Sequence, residues 1–392
     1  MKHLIKNMLK TKHFRIDFIN ASYRRFFQQH KKEIMKAFER CASKGDFMLR
    51  DETRKFEKNL AKFVGTKYAV GVNSGTDALF LSLKALGINE NHNVITVGHT
   101  FIASLQAVTH CGATIHLVDV GEDGLIDVSQ IEKWISSDTK AILPVHLSGK
   151  VCDMQQIMSI AKTYNLFVIE DACQALGAKI EMGISNWRIA GSIGDTGCFS
   201  FNFPKLMGAY GDAGAITTNN EELYKKLLLL RNHWNITQGS VRQDDYPQPE
   251  IMGWGWKSRI DNIQAAILNV KFRYLKKMLK RRREIAMRYN KELKELPLKL
   301  PIQQEKQVYQ EYIIRINNQK EFVNYMQKRG IELLVRDTIP NHQLVGLNLS
   351  HFELPITEKM AKENVRLPIY PELTNVEIDT IIKAIKSFYG RS

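Results

Sequence analysis

Val168-Ile-Glu-Asp-Ala-Cys-Gln174 reads as an apolar strand that ends in a carboxylate. Short apolar runs separated by helical segments are strands buried on both faces, and an α/β sheet meets its ligand at the carboxyl ends of such strands. The runs at 68–72, 93–97, 114–119 and 141–146 share the character of 166–170. Between them, apolar residues recur at helical spacing over 76–85, 102–109, 129–135 and 154–164. The alternation predicts an α/β fold with a doubly wound, mostly parallel sheet. It puts Asp171 at the ligand-binding edge, unless the carboxylate merely caps a following helix.

Downstream, Phe199-Ser-Phe-Asn-Phe-Pro-Lys-Leu-Met-Gly-Ala-Tyr-Gly-Asp-Ala-Gly214 sets one lysine, Lys205, among small residues and glycines. That setting suits an amine that forms an imine with a carbonyl. A lysine to hold an aldehyde and an acid to keep a pyridine nitrogen protonated are the two requirements of pyridoxal phosphate (PLP) chemistry. Gln174 is placed to donate to the ring hydroxyl oxygen. Asn73-Ser-Gly-Thr-Asp-Ala-Leu79 follows a strand and opens a helix, so Gly75 and Thr76 fit either an anion site or a plain helix cap. Phe101 fits a ring-stacking aromatic or a core residue, and Ser200 a second phosphate ligand or an ordinary strand serine. Asp195 and Asp212 read as turn or capping acids.

The chain has 392 residues, 44% hydrophobic and 25% charged, which suits two lobes with a sizeable core. No apolar run approaches the roughly 20 residues that cross a bilayer, and the basic start lacks a secretory h-region, so a cytoplasmic protein without a membrane partner is expected. Five cysteines without a CxxC pair read as reduced thiols with no metal site. The net charge of +15 concentrates in residues 1–40 and 271–283. In the second run Phe272, Leu275, Leu279 and Ile285 recur at helical spacing, which predicts an amphipathic helix with solvated cations. The alternative is a positive field that attracts phosphorylated or nucleotide-bearing substrates. No nucleic-acid motif accompanies it. Long charged helices past residue 260 and a strand at 311–316 predict a smaller α+β lobe. The expected division is a helical segment at 1–45 packing with the small domain, a PLP-binding domain at 46–265 and a small domain at 266–392. Tyr246-Pro-Gln-Pro-Glu250 reads as the tip of a loop.

Together with Phe56-Glu57, Pro144-Val-His-Leu-Ser-Gly149, Ser258-Arg-Ile-Asp-Asn-Ile-Gln-Ala-Ala-Ile267 and Leu367-Pro-Ile-Tyr-Pro-Glu-Leu-Thr374, these motifs make the chain resemble the DegT and StrS group of nucleotide-sugar aminotransferases, PLP enzymes of fold type I. The resemblance implies a large domain with a mostly parallel seven-stranded sheet and a smaller α+β C-terminal domain. It implies Lys205 as the imine lysine, Asp171 against the pyridine nitrogen, Gln174 beside it, Phe101 on the ring, and Gly75, Thr76 and Ser200 at the phosphate. It further implies a homodimer with shared active sites, substrate contacts at Arg259 and His342, and a Gly-x-Asn-x-Arg segment that crosses to the neighbour. Here that segment is Gly255-Trp-Lys-Ser-Arg259, with Lys257 in place of the asparagine. Asn232-His233-Trp234 also lacks the usual glycine. The implied reaction moves an amino group, from glutamate, to a ketosugar carried on dTDP, UDP or GDP, for a surface polysaccharide or related glycan. Residues 258–261 resemble the 3-keto enzymes more than the 4-keto ones. Related sugar dehydratases carry histidine where Lys205 stands, and a non-catalytic regulatory protein leaves the PLP set unexplained.

Overall fold

The computed structural model describes residues 14–235, 251 and 253–390. The loop expected at 237–250 and the first 13 residues of the basic amino-terminal run lie outside the described residues. Strands β1 (Tyr68–Val72), β2 (Asn93–Val97), β3 (Thr114–Val118), β4 (Thr139–Ile142), β5 (Phe167–Asp171), β8 (Thr196–Ser200) and β9 (Gly214–Thr218) form one sheet in the order β1-β9-β8-β5-β4-β2-β3. The short strands β6 (Lys179–Glu181) and β7 (Trp187–Ile189) make a separate hairpin. Every pairing in the large sheet is parallel except those of β9, which runs against both β1 and β8. That single reversal matters for the site. The carboxyl ends of β1, β2, β5 and β8 therefore lie along one edge, and the Lys205 loop that turns from β8 into β9 sits on it.

Helices α1 (Asn20–Ala42), α2 (Asp51–Val64), α3 (Gly75–Ala85), α4 (Ala103–His110), α5 (Met154–Tyr164) and α6 (Glu221–Leu230) precede the long pair α7 (Asn262–Phe272) and α8 (Leu275–Leu293). The helix expected over 129–135 is two short 3₁₀ turns, Val128–Gln130 and Glu132–Trp134. Side chains compete with the backbone there: Asp127 accepts from the Ser129 N–H, and the Thr139 hydroxyl accepts from the Ser136 N–H.

The charged run at 271–283 is not one solvated helix. It turns at Arg273 and Tyr274 between α7 and α8, and two of its cations are buried. Lys271 donates to the Gly208 carbonyl at 2.5 Å, with the rings of Tyr23, Phe26 and Tyr210 within 4.6–5.1 Å. Arg282 donates to the carbonyls of Tyr309 (3.0 Å) and Ile369 (2.7 Å), tying α8 to the C-terminal residues.

A second core lies around β10 (Tyr312–Arg315) and its antiparallel partner β11 (Asn364–Leu367), with α8, α9 (Gln319–Lys328) and α11 (Asn375–Phe388), whereas α10 (Pro355–Glu363) puts Met360 into the large core. α11 opens with a capping box between Thr374 and Glu377. The amino-terminal segment serves two cores. Ile16 and Ala21 join this second one, whereas beyond the kink at His30 the residues Ile34, Ala37 and Cys41 pack on α7. Among the described residues, no helix is long and apolar enough to cross a membrane.

Candidate active site

Along the shared edge lies a cavity of about 380 Å³ whose wall includes Gly75, Thr76, Phe101, Asp171, Gln174, Ser200 and Lys205. Seven of the sequence-predicted site residues thus converge. β5 delivers Asp171 buried, with no helix after it to cap. Its Oδ2 accepts from Ser104 Oγ at 2.7 Å and its Oδ1 from the Cys173 N–H at 3.1 Å, so the carboxylate is oriented in advance. Strand alternation points the preceding Glu170 the other way, where it accepts from His146 Nε2 (2.9 Å) and the N–H groups of Gly191, Ile193 and Gly194. Gln174 accepts from the Ser148 N–H through Oε1 at 2.9 Å, which leaves its NH₂ group to donate.

The opposite wall is the N-terminus of α3. Ser74 caps it, accepting from the Asp77 N–H at 3.1 Å, while Gly75 and Thr76 line the cavity. A Cβ at Gly75 would lie 2.7 Å from Ser200 Cβ and 2.9 Å from Cys173 Sγ, so this close approach of helix and strand requires glycine. Burial, followed by the nearby Asp171, pushes the Cys173 thiol well above its ordinary pKa, so it stays protonated.

Lys205 is half-buried in a loop clamped from the C-terminal lobe. Gln310 accepts from the Leu206 N–H at 2.8 Å and donates to the Pro204 carbonyl at 2.9 Å, and Tyr23 donates to the Lys205 carbonyl at 3.4 Å. Asp212, read from sequence as a turn acid, lines the cavity and accepts from Asn202. Asp195, in the bend before β8, instead reaches across to β5, accepting from the Val168 N–H at 2.8 Å. Phe101 stands at the rim and is 56% exposed.

Three expected residues are not in this wall. Ser258 donates to Asp77 at 2.6 Å, anchoring its segment to α3. Its neighbours Lys257 and Arg259 therefore project the other way. Lys257 is exposed, and Arg259 donates to Asn232 at 3.2 Å. His342 is sealed in beside Glu358 (3.2 Å), while Asn341 donates to the carbonyls of Gly98 and Thr100. His342 is therefore buried away from this cavity in the single chain, and it is Asn341, beside it, that supports the loop carrying Phe101. Conversely, sequence reasoning missed Arg336, Gln310 and Ser104. Arg336 reaches the cavity from the C-terminal lobe, held by Glu311, which also accepts from Arg366 at 2.8 Å. Burial alone would push the Glu311 pKa up, but Arg366 and Arg336 outweigh it and keep the carboxyl ionised. The one signal for Ser104 is its place one helical turn after Thr100, to whose hydroxyl it hydrogen-bonds.

The donor set suits PLP. A glycine-lined helix N-terminus with Ser200 would suit the phosphate, the oriented acid would suit the pyridine nitrogen, and the Lys205 amine lines the same cavity. Fold and site together define a PLP-dependent aminotransferase of fold type I. The chain belongs to the DegT/DnrJ/EryC1/StrS aminotransferase family, whose model matches residues 28–386. It is 38% identical over 369 residues to a dTDP-3-amino-3,6-dideoxy-alpha-D-galactopyranose transaminase of Aneurinibacillus thermoaerophilus, covering 93% of this chain and 98% of that one. It is 35% identical over 372 residues to a pleiotropic regulatory protein of Geobacillus stearothermophilus, covering 93% and 96%. The crystal structure of S. venezuelae DesV in complex with a ketimine intermediate superposes with a TM-score of 0.87 at 32% identity, over 97% of this chain and all of that one.

Proposed function

We propose that the protein transfers an amino group from glutamate to a nucleotide-linked ketosugar, at C3 of the sugar, in the synthesis of a surface polysaccharide or related glycan. The observation that carries this reading is the meeting of Lys205, Asp171 and the Gly75–Ser200 cradle in one cavity, in a chain 38% identical to a dTDP-sugar transaminase. Bound PLP supplies an electrophilic carbon and an electron-withdrawing ring. Lys205 Nζ would hold the cofactor and, once displaced by the donor amine, would carry the proton from the donor's α-carbon to the bound cofactor in one half-reaction and from the cofactor to the sugar carbon that receives the amino group in the other. Asp171 holds the proton on the ring nitrogen, and Ser104 holds Asp171. Gln174 donates to the ring hydroxyl oxygen, and Phe101 covers the ring. Among the described residues Arg336 is the one cation besides Lys205 in the cavity wall, which supports a carboxylate-bearing donor such as glutamate.

The outward projection of Lys257 and Arg259 supports a homodimer in which this segment completes the partner's site, with Lys257 at the phosphate and Arg259 at the substrate. We also propose the cytoplasm as its compartment and 46–265 and 266–392 as the two domains. An assay of purified enzyme with glutamate against a panel of 3-keto and 4-keto sugars on dTDP, UDP and GDP tests the reading. Formation of 2-oxoglutarate with a 3-keto substrate is expected. Turnover with 4-keto substrates alone would reverse the regiochemical assignment, and no turnover with any would remove the sugar substrate.

A further inference from the structure

Lys150 and Lys271 are both buried, and their ammonium groups are accommodated differently. Lys271 sits among three rings and donates to a carbonyl. Lys150, 9% exposed, donates only to the Asp123 carbonyl and forms no ion pair among the described residues. It lies on the wall of a second cavity, of about 360 Å³, between the two lobes. The nearby Asp123 carboxylate offsets only part of the cost of burying this ammonium, so burial still lowers its pKa.

The same wall carries further donors without partners: Arg315 Nη2, Gln307 Nε2 and the Ser148 hydroxyl. Arg315 and Gln307 are 8% and 3% exposed, so bulk water does not satisfy them. The neighbouring acids are already engaged. Arg315 binds Glu122 at 2.5 Å and Glu363 at 2.8 Å through its other nitrogens, and Glu311 is held by Arg336 and Arg366. His99 adds no charge, because burial, helped by Arg366 and Lys150, lowers its pKa to about 4. What remains facing the space, among the described residues, is a set of buried donors without acceptors, Arg315 Nη2, Gln307 Nε2 and the Ser148 hydroxyl, beside the Lys150 ammonium, the chemistry that recognises an oxyanion. Ser148, at the unusual φ of 58° for a residue with a side chain, gives its N–H to Gln174, so this cavity and the cofactor cavity share a wall.

We propose that the interlobe cavity binds a small oxyanion, a carboxylate or a phosphate, through Lys150, Arg315 and Gln307, and is coupled to the cofactor pocket through Ser148 and Gln174. Lys150 belongs to the large sheet's lobe, whereas Gln307 and Arg315 belong to the other. An occupant therefore bridges the lobes and stabilises their arrangement by mass action.

The test is calorimetric titration of the holoenzyme with sodium phosphate and, separately, sodium succinate at constant ionic strength, with the visible absorbance of the cofactor followed in parallel. Saturable binding of at least one is expected, with a shift of the visible band. Lys150→Met and Gln307→Leu should each weaken it about tenfold or more, the loss of one charge-assisted or buried contact. Binding of phosphate alone identifies a phosphate group as the ligand chemistry, and binding of succinate alone a carboxylate. Should Lys150→Met fail to fold, Gln307→Leu decides. The proposal is overturned if neither anion binds beyond a sodium chloride control, or if affinity is unchanged in the folded variants. It is equally overturned if only Arg336→Met abolishes binding, which would place the anion in the cofactor cavity. A visible band that does not move removes the coupling.

Discussion

The floor and the rim of the cofactor cavity are built differently. On the floor, Asp171, Gly75, Ser200 and Gln174 are each fixed by contacts from within this chain, and the polar groups behind them are engaged: Glu170 alone accepts four hydrogen bonds. The rim carries Phe101 at 56% exposure; Phe203, between the wall residues Asn202 and Pro204, is 43% exposed, and Trp254, three residues before the exposed Lys257, is 93% exposed. Large apolar side chains at such exposure mark a surface meant to be covered. The floor is thus built within one chain, whereas the rim is where the proposed second copy would contribute. If so, floor substitutions should act on chemistry and cofactor geometry in every assembly state, and rim substitutions only through association.

The largest effect expected is that of Lys205→Ala, which removes both the attachment point and the proton carrier. Turnover should fall by roughly 10⁴-fold or more, with loss of the borohydride-reducible link between protein and cofactor. A variant that kept that link would show another lysine to be the attachment point. Asp171→Asn keeps the shape and the Ser104 contact but not the charge, so kcat should fall on the order of 10²–10³-fold with PLP still bound, measured under saturating substrate. Turnover near wild type would take Asp171 out of the chemistry and break the account of the floor. Gly75→Ala comes next, because the new methyl meets Ser200 and Cys173 inside contact distance. Overpacking of about 1–3 kcal/mol predicts PLP affinity weaker by roughly 10–100-fold, read by titration of apo-protein. Unchanged affinity would mean that α3 does not hold the phosphate.

Most of the floor was legible in the sequence because its residues sit at strand ends, where apolar periodicity locates them to within a residue. The single reversed strand, β9, was not specified by any pattern, yet it brings the Lys205 loop onto the edge that holds Asp171. What the sequence did not show is long-range. Arg336 and Gln310 reach the site from the other lobe, and neither lies in a periodic run. Lys271 and Arg282 looked like a solvated face because a charge run carries no mark of which members turn inward. Here the burial of Lys271 depends on Tyr23, Phe26 and Tyr210, all distant in sequence. The burial of His342 was hidden for a related reason, since it depends on Glu358 and on the loop at 98–100, both distant in sequence or fixed only by the fold.

The smallest effect, and the sharpest test of the rim, is expected from Lys257→Ala. Ser258 is pinned to Asp77, so the Lys257 backbone does not depend on its own side chain and the variant should fold. If the side chain meets a partner's cofactor phosphate, its charge-assisted contact contributes about 1.5–3 kcal/mol. Its removal should then weaken PLP binding by roughly tenfold or somewhat more. The effect should depend on concentration. PLP binding and dimerisation are linked, so added PLP should tighten the wild-type dimer more than the variant dimer in sedimentation. A floor substitution such as Gly75→Ala should weaken PLP binding in dilute and concentrated protein alike, whereas Lys257→Ala should matter only where dimer forms. Equal PLP affinity and equal association in Lys257→Ala and wild type would make Lys257 an ordinary solvated lysine, and the rim would then owe its exposed aromatics to something other than a shared site.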